Sequence, residues 1–166
     1  MMKLLEIWNA DNDKSYDLYM SFPEDENGFM NPCFGMDRKE FDAYVLRCRD
    51  SSQGIGLKEG YVPDTKYIVI DDEGNYAGIV NLRHYLNDFL REGAGHIGYG
   101  IRKEYRKRGY ATRALKLALA KCKELGIREV YMSCNRDNTA SYKVQLNNGA
   151  VLHHESDDEY YTRVYL

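Results

Sequence analysis

No apolar run in this sequence approaches the length needed to cross a bilayer. Cysteine is scarce and scattered: Cys33, Cys48, Cys122 and Cys134 form no C-x-x-C pair and no zinc-type spacing. With no signal peptide ahead of them, they are expected as free thiols in a reducing cytoplasm. A Walker A string is missing too, which removes the usual nucleotide-hydrolysing class. Neither sign of charge dominates, since 23 basic residues face 26 acidic ones for a net charge of −3. Nothing therefore pulls the chain as a whole toward nucleic acid or an anionic membrane, and any basic cluster is a local feature. Proline occurs only 3 times, and two of those, Pro23 and Pro32, fall in one short stretch. The remainder is free to form regular elements.

What is present reads as one domain over residues 1–166, long enough for a core without staples. Lys3 to Trp8 reads as a strand and Asp11 to Ser21 as a helix behind an Asp/Asn cap. Ser21 to Gly35, with its two prolines and consecutive acids, reads as a loop. Asp37 caps a second helix in which Phe41, Tyr44, Val45 and Cys48 keep helical spacing. Tyr67–Ile70 and Tyr76–Leu82 flank Asp71-Asp72-Glu73-Gly74-Asn75 as a hairpin. His84 to Gly95 is a connection without a clear pattern. Tyr110 to Leu125 is a helix with an apolar stripe of Ala111, Ala114, Leu115, Ala118, Cys122 and Leu125, stopped by Gly126. Glu129 to Ser133 is a strand, Asn138 to Asn148 a short helix, and Val151–Glu155 pairs with Tyr160–Leu166. The order predicts an α/β (α+β) fold, a mixed sheet with helices on both faces. The 15 tyrosines suit either amphipathic pocket walls or a half-exposed sheet.

The informative stretch runs from His96 to Thr112, HIGYGIRKEYRKRGYAT. Ile97, Tyr99 and Ile101 alternate as in a half-buried strand, a basic loop follows, and a helix opens at Gly109. First-turn amides of a helix lack internal partners, and the macrodipole adds partial positive charge there. Gly109 brings backbone close to a ligand, Ala111 keeps the next turn low, Thr112 offers a hydroxyl, and Arg106, Lys107 and Arg108 supply attraction. The strand, loop and helix together predict a phosphate site. Gly93-Ala94-Gly95-His96-Ile97-Gly98 fits G-x-G-x-x-G literally, but it leads into a strand instead of following one, so no dinucleotide site is expected.

Arg106-Lys107-Arg108-Gly109-Tyr110-Ala111 fits R/Q-x-x-G-x-G/A and resembles the acyl-CoA diphosphate signature of the GCN5-related N-acetyltransferase (GNAT) superfamily. Asn135-Arg136-Asp137-Asn138-Thr139-Ala140-Ser141, ending at Asn148-Gly149-Ala150, is similar to that family's second pattern, N-x-x-N-x-x-S…G-F, with Ala150 in place of the aromatic. The element order is also the family's. The resemblance implies a mostly antiparallel central sheet of about seven strands, with the fourth and fifth splayed. It implies acetyl-CoA as co-substrate and acetyl transfer to a primary amine of a small molecule or peptide by direct attack. The implied cofactor contacts are the backbone at Tyr99, Ile101 and Arg106 to Thr112, including Tyr110, together with Asn138 and Ser141. Lys143 and Arg108 would meet the 3′-phosphate.

The catalytic roles stay open. The family often protonates the leaving thiolate with a tyrosine of its fourth helix, and the matching residue here is Gln145, which is no acid. Ser141, Tyr142 or a water could serve instead. His84 and His96 are candidate bases, although alternation sets His96 on the opposite face from Ile97 and Tyr99; His153 and His154 are weaker ones. The acidic runs at Glu24–Glu26 and Asp157–Glu159 would attract a cationic acceptor. Neither nucleic acid nor membrane is expected as a partner, and a homodimer stays open. The competing expectation is a GNAT-shaped module that binds acyl-CoA without turnover.

Overall fold

A computed structural model describes all 166 residues. The order is β1 (Lys3–Glu6), a 3-10 turn, α1 (Asn12–Met20), β2 (Asp25–Glu26), β3 (Phe29–Met30), α2 (Arg38–Ser52), β4 (Asp64–Ile70) and β5 (Tyr76–Arg83). It continues with α3 (Asp88–Arg91), β6 (Ile97–Ile101), a second 3-10 turn, α4 (Tyr110–Glu124), β7 (Glu129–Asn135), α5 (Thr139–Asn147), β8 (Val151–Glu155) and β9 (Glu159–Tyr165). The stretch expected as a bare loop at 21–35 holds the small β2–β3 hairpin, and the patternless 84–95 connection holds the one-turn helix α3. Both pieces are too short for a periodic signal.

Side-chain caps fix the helix starts. Asp11 accepts from the Lys14 amide, Asp37 and Glu40 form a reciprocal capping box, and Asn138 accepts from the Ser141 amide. Each such cap is worth about 1 kcal/mol. α4 is the exception, because its N-cap is Gly109 at φ 76°, with no side chain to cap anything.

Seven strands form two antiparallel sheets, ordered β1-β4-β5-β6 and β7-β9-β8. The sheets meet at one bridge, Gly95 to Met132, reinforced by the His96 amide donating to the Tyr131 carbonyl at 2.7 Å. A Cβ on Gly95 would lie 2.2 Å from that carbonyl oxygen, so only glycine permits the approach. Beyond this point no ladder joins β6 to β7. Setting the β2–β3 hairpin aside, these are the fourth and fifth sheet strands, and they part as expected.

One core holds the two sheets together. Ala114, Leu115, Ala118, Leu119 and Cys122 of α4 cover Val69, Val80, Leu82, Ile97 and Ile101 on one sheet and Val130, Met132 and Val164 on the other. Burying each large apolar side chain contributes about 1.5–3 kcal/mol. Leu119 completes the α4 stripe where Leu125 was expected; Leu125 lies past the helix end and is exposed. On the opposite face α1 and α2 pack Leu18, Tyr19, Phe41 and Tyr44 against Ile68, Ile70 and Ile79.

Candidate active site

The residues leading into α4 present an unusual run of unused donors. The backbone amides from Lys107 to Thr112, six in succession, have no acceptor in the protein; the first helical bond comes from Arg113 to Gly109. Lys107 and Gly109 both take positive φ, 58° and 76°. For Lys107 this is a strained conformation, and left-handed residues within a turn ahead of a helix suit an anion-binding nest. With the macrodipole of a 15-residue helix behind it, the turn is a built anion cradle. A Cβ at Gly109 would meet no protein atom, so the space in front of it is open.

The flanking cations divide into two groups. Arg102, Arg106 and Arg113 pair with Glu104, Glu26 and Asp72. Lys107 and Arg108 are exposed with no carboxylate partner, and Arg108 lies over the Tyr110 ring. Arg106 is engaged closely: its Nε donates to the Ile101 carbonyl at 2.7 Å, and its two terminal nitrogens donate to Glu26 at 2.9 and 2.6 Å. Those bonds hold the Glu26 carboxyl below its usual range. The guanidinium that resembles a phosphate ligand in sequence thus clasps the β2–β3 hairpin to the loop before α4.

Along β6, bonds from Arg83 N to His96 O and from Arg102 N to Ala77 O show which residues face β5. In an antiparallel ladder the bonding residues alternate, so 96, 98, 100 and 102 bond β5, while the amides of Ile97, Tyr99 and Ile101 point toward the gap. The Tyr99 side chain crosses this gap. Its hydroxyl is 2.8 Å from Ser141 Oγ and 3.3 Å from the Ser141 carbonyl. Burial pushes the Tyr99 hydroxyl up to about 12, partly offset by Ser141, so it remains a protonated donor at neutral pH. Gln145 is buried: its amide donates to the Ser133 carbonyl and its oxygen accepts from Thr162. It braces α5 on the second sheet. Tyr142 stacks on Tyr160 at 4.4 Å between centroids, and Lys143 is exposed.

The other face of the gap is open in its middle. Gly100 lies under Phe22 and Phe29, whose ring atoms would be 3.1 Å from an added Cβ, and Gly28 rests against Asn135. The β2–β3 hairpin therefore roofs one end of the gap, from β6 to β7. At the other end His96 and Tyr131 close it, ring to ring at 5.9 Å. Between them Gly98 has nothing within 4 Å of an added Cβ, which leaves a window on the face to which Tyr131, Ser133 and Asn135 alternate along β7. Glu159 stands beside this window: one oxygen accepts from Ser133 Oγ at 3.3 Å and the other from Tyr161 at 2.8 Å. That bond to Glu159, with burial, raises the Tyr161 hydroxyl.

The histidines are held in structural bonds. His96 Nδ1 accepts from the Tyr131 amide at 3.0 Å, and burial with Arg91, Arg83 and Arg163 nearby drives its pKa down to about 4. His84 Nε2 bonds Thr65 Oγ1 at 2.8 Å, and burial lowers it as well. His153 and His154 lie on the exposed strand β8. Sequence reasoning missed Glu159, Tyr161 and Ser133 as a group. Glu159 had been read only as part of an acidic turn, and the β7–β9 register that joins the three is not a local property.

The profile of the acetyltransferase (GNAT) domain matches residues 7–151, and the chain belongs to that family. No curated protein matches the sequence. Among solved structures, the fold is similar to RimL, a ribosomal L7/L12 α-N-protein acetyltransferase in complex with coenzyme A, at TM-score 0.70 and 17% identity over 99% of this chain and 94% of that one. It is also similar to the Campylobacter jejuni N-acetyltransferase PseH in complex with acetyl coenzyme A, at TM-score 0.66 and 12% identity over 99% of each chain. A third is a spermidine N-acetyltransferase SpeG chimera from Vibrio cholerae and hSSAT, at TM-score 0.64 and 15% identity over 99% and 95%. At these identities the likeness shows the shared fold. No helix is long and apolar enough to cross a membrane.

Proposed function

We propose that the protein transfers the acetyl group of acetyl-CoA to a primary amine of a small molecule or peptide by direct attack. The observation that carries this reading is the run of six partnerless amides, Lys107 to Thr112, at the mouth of a gap between two parted strands. Such a cradle suits a diphosphate, and Lys107 and Arg108 add charge to it. The gap-facing amides of Tyr99 and Ile101 suit the pantetheine and the thioester carbonyl, where they stabilise negative charge as it builds on oxygen. Asn138 caps α5 and holds Ser141 at the edge of the same gap. Among the similar structures are acetyltransferases named for a polyamine and for a protein α-amine, both primary amines.

In the proposed reaction the amine enters by the Gly98 window. Glu159, through a water, takes the amine's proton, so the nitrogen lone pair is free to attack the carbonyl carbon. The tetrahedral oxyanion collapses and the carbon–sulfur bond breaks. The attached nitrogen sheds its second proton to solvent; the thiolate takes a proton from Ser141 Oγ, Ser141 recovers one from the Tyr99 hydroxyl at 2.8 Å, and Tyr99 is reprotonated from solvent. A positioned acid or base contributes about 10²–10⁴-fold. This division fits the two faces of the gap, carboxylate on one and hydroxyl pair on the other. Four free cysteines support a reducing cytoplasm as its setting.

A second reading, an acyl-CoA-binding module without turnover, is favoured by one fact: Gln145 fills the position of the family's acidic tyrosine and is locked in place. Release of free thiol from acetyl-CoA across a panel of amines separates the two. Amine-dependent release supports the transferase, and tight binding without release on any amine supports the module.

A further inference from the structure

At the closed end of the gap, on the face that carries the Gly98 window, lies a cavity of about 200 Å³ lined by His84, Leu86, Arg91, His96, Glu129 and Tyr131 among others. Its charge is lopsided. Arg91 and Arg163 both lie against the Tyr131 ring, at 5.9 and 3.6 Å, and Arg83 donates to the Gly95 carbonyl beside His96. Glu129 is the only acid in the wall, and it is matched by Arg163 at 3.8 Å. Asp64, the acid nearest His84, is ion-paired with Lys66. Arg83 also faces Asp64 across the ladder, which leaves Arg91 as the cation in the wall without a carboxylate partner. Arg163 is 4% exposed, yet its Nε has no hydrogen-bond partner. His96 is held neutral first by burial and then by Arg91, Arg83 and Arg163.

The cavity also lies at a definite distance from the window. His96 to Gly98 on β6, and Tyr131 to Ser133 on β7, are each one side-chain repeat along a strand, about 7 Å. An amine at the window with an extended chain of that length can reach Arg91 and His96. One net positive group at the rim, an apolar wall and neutral imidazoles suit a monoanion better than a phosphate dianion, which would meet Glu129.

We propose that this cavity is an acceptor subsite for a carboxylate, and that the protein acetylates amines carrying a carboxylate about 7 Å from the nitrogen. The proposal rests on the acetyltransferase reading for its reaction, but binding tests it separately. The probes are 5-aminopentanoate and its neutral analogue 5-aminopentanamide, titrated calorimetrically into the full protein with coenzyme A present. The acid should bind at least 10-fold tighter than the amide. Arg91→Gln should erase that difference by weakening the acid, while Lys116→Gln, on the exposed side of α4, should preserve it. Equal affinities in the native protein, no binding of either probe, or a preference that survives Arg91→Gln would each overturn the subsite. Acid preference without thiol release would keep the subsite and reject acetyl transfer.

Discussion

The two edges of the β6–β7 gap are built on different scales. The edge proposed for the cofactor comes from one contiguous stretch, Ile97 to Thr112, whose strand, turn and helix follow directly in sequence. The edge proposed for the acceptor is gathered from β6, β7, β9 and the β2–β3 hairpin: Ser133 meets Glu159 through the β7–β9 register, and Phe29 meets Gly100 through tertiary packing. The first edge works through backbone amides, which any side chains can flank. The second works through particular side chains. A fold that keeps the first can therefore exchange acceptors by changing the second.

The largest effect should come from breaking the contiguous edge. Gly109→Glu places a carboxylate in the open space before the cradle and strains a residue held at φ 76°. Acetyl-CoA affinity by calorimetry should fall at least 1000-fold, about 4 kcal/mol. Gly109→Ala carries only the left-handed penalty of about 1–2 kcal/mol, and should retain measurable binding.

The joint between the edges gives the next effect. His96 is buried neutral, with its pKa depressed from 6.5 to about 4. As pH falls below 6.5 the unfolded chain gains this proton first, so stability present above pH 6.5 declines until about pH 4, by up to about 3 kcal/mol. Urea midpoints at pH 7 and pH 4.5 should show this slope, and His96→Asn should flatten it. An unchanged slope in that variant would separate the closed end of the gap from acid sensitivity.

On the dispersed edge, Glu159→Gln should lower kcat/KM for the amine about 100-fold. Acetyl-CoA affinity should stay the same, which sharpens the contrast with Gly109. Ser141→Ala should reduce kcat about 10-fold, because a thiol near pKa 8.5 leaves tolerably without help. If Ser141→Ala lost cofactor affinity instead, the hydroxyl would belong to binding and not to proton transfer.

The same contrast governs what the sequence disclosed. Helix periodicity, the Asp37 cap and the basic turn at Gly109 are local, and each lies where the sequence put it. Arg106 shows the limit: its place in the motif suggested a phosphate ligand, but its guanidinium is bound to Glu26, 80 residues away. Gln145 was legible as a departure from the family's acid, yet its bonds to Ser133 and Thr162 follow from sheet packing. Glu159 was hidden in an acidic run because nothing local tells a solvated turn from the first residue of a strand facing a cleft.

The most direct test of the account is a titration of the 15N-labelled protein with coenzyme A, read at each backbone amide. The amides of Lys107 to Thr112, together with Tyr99 and Ile101, should shift in a saturable way, while those lining the His84–Arg91 cavity stay fixed. Shifts centred on the cavity, or none at residues 107–112, would contradict the cradle and the function derived from it.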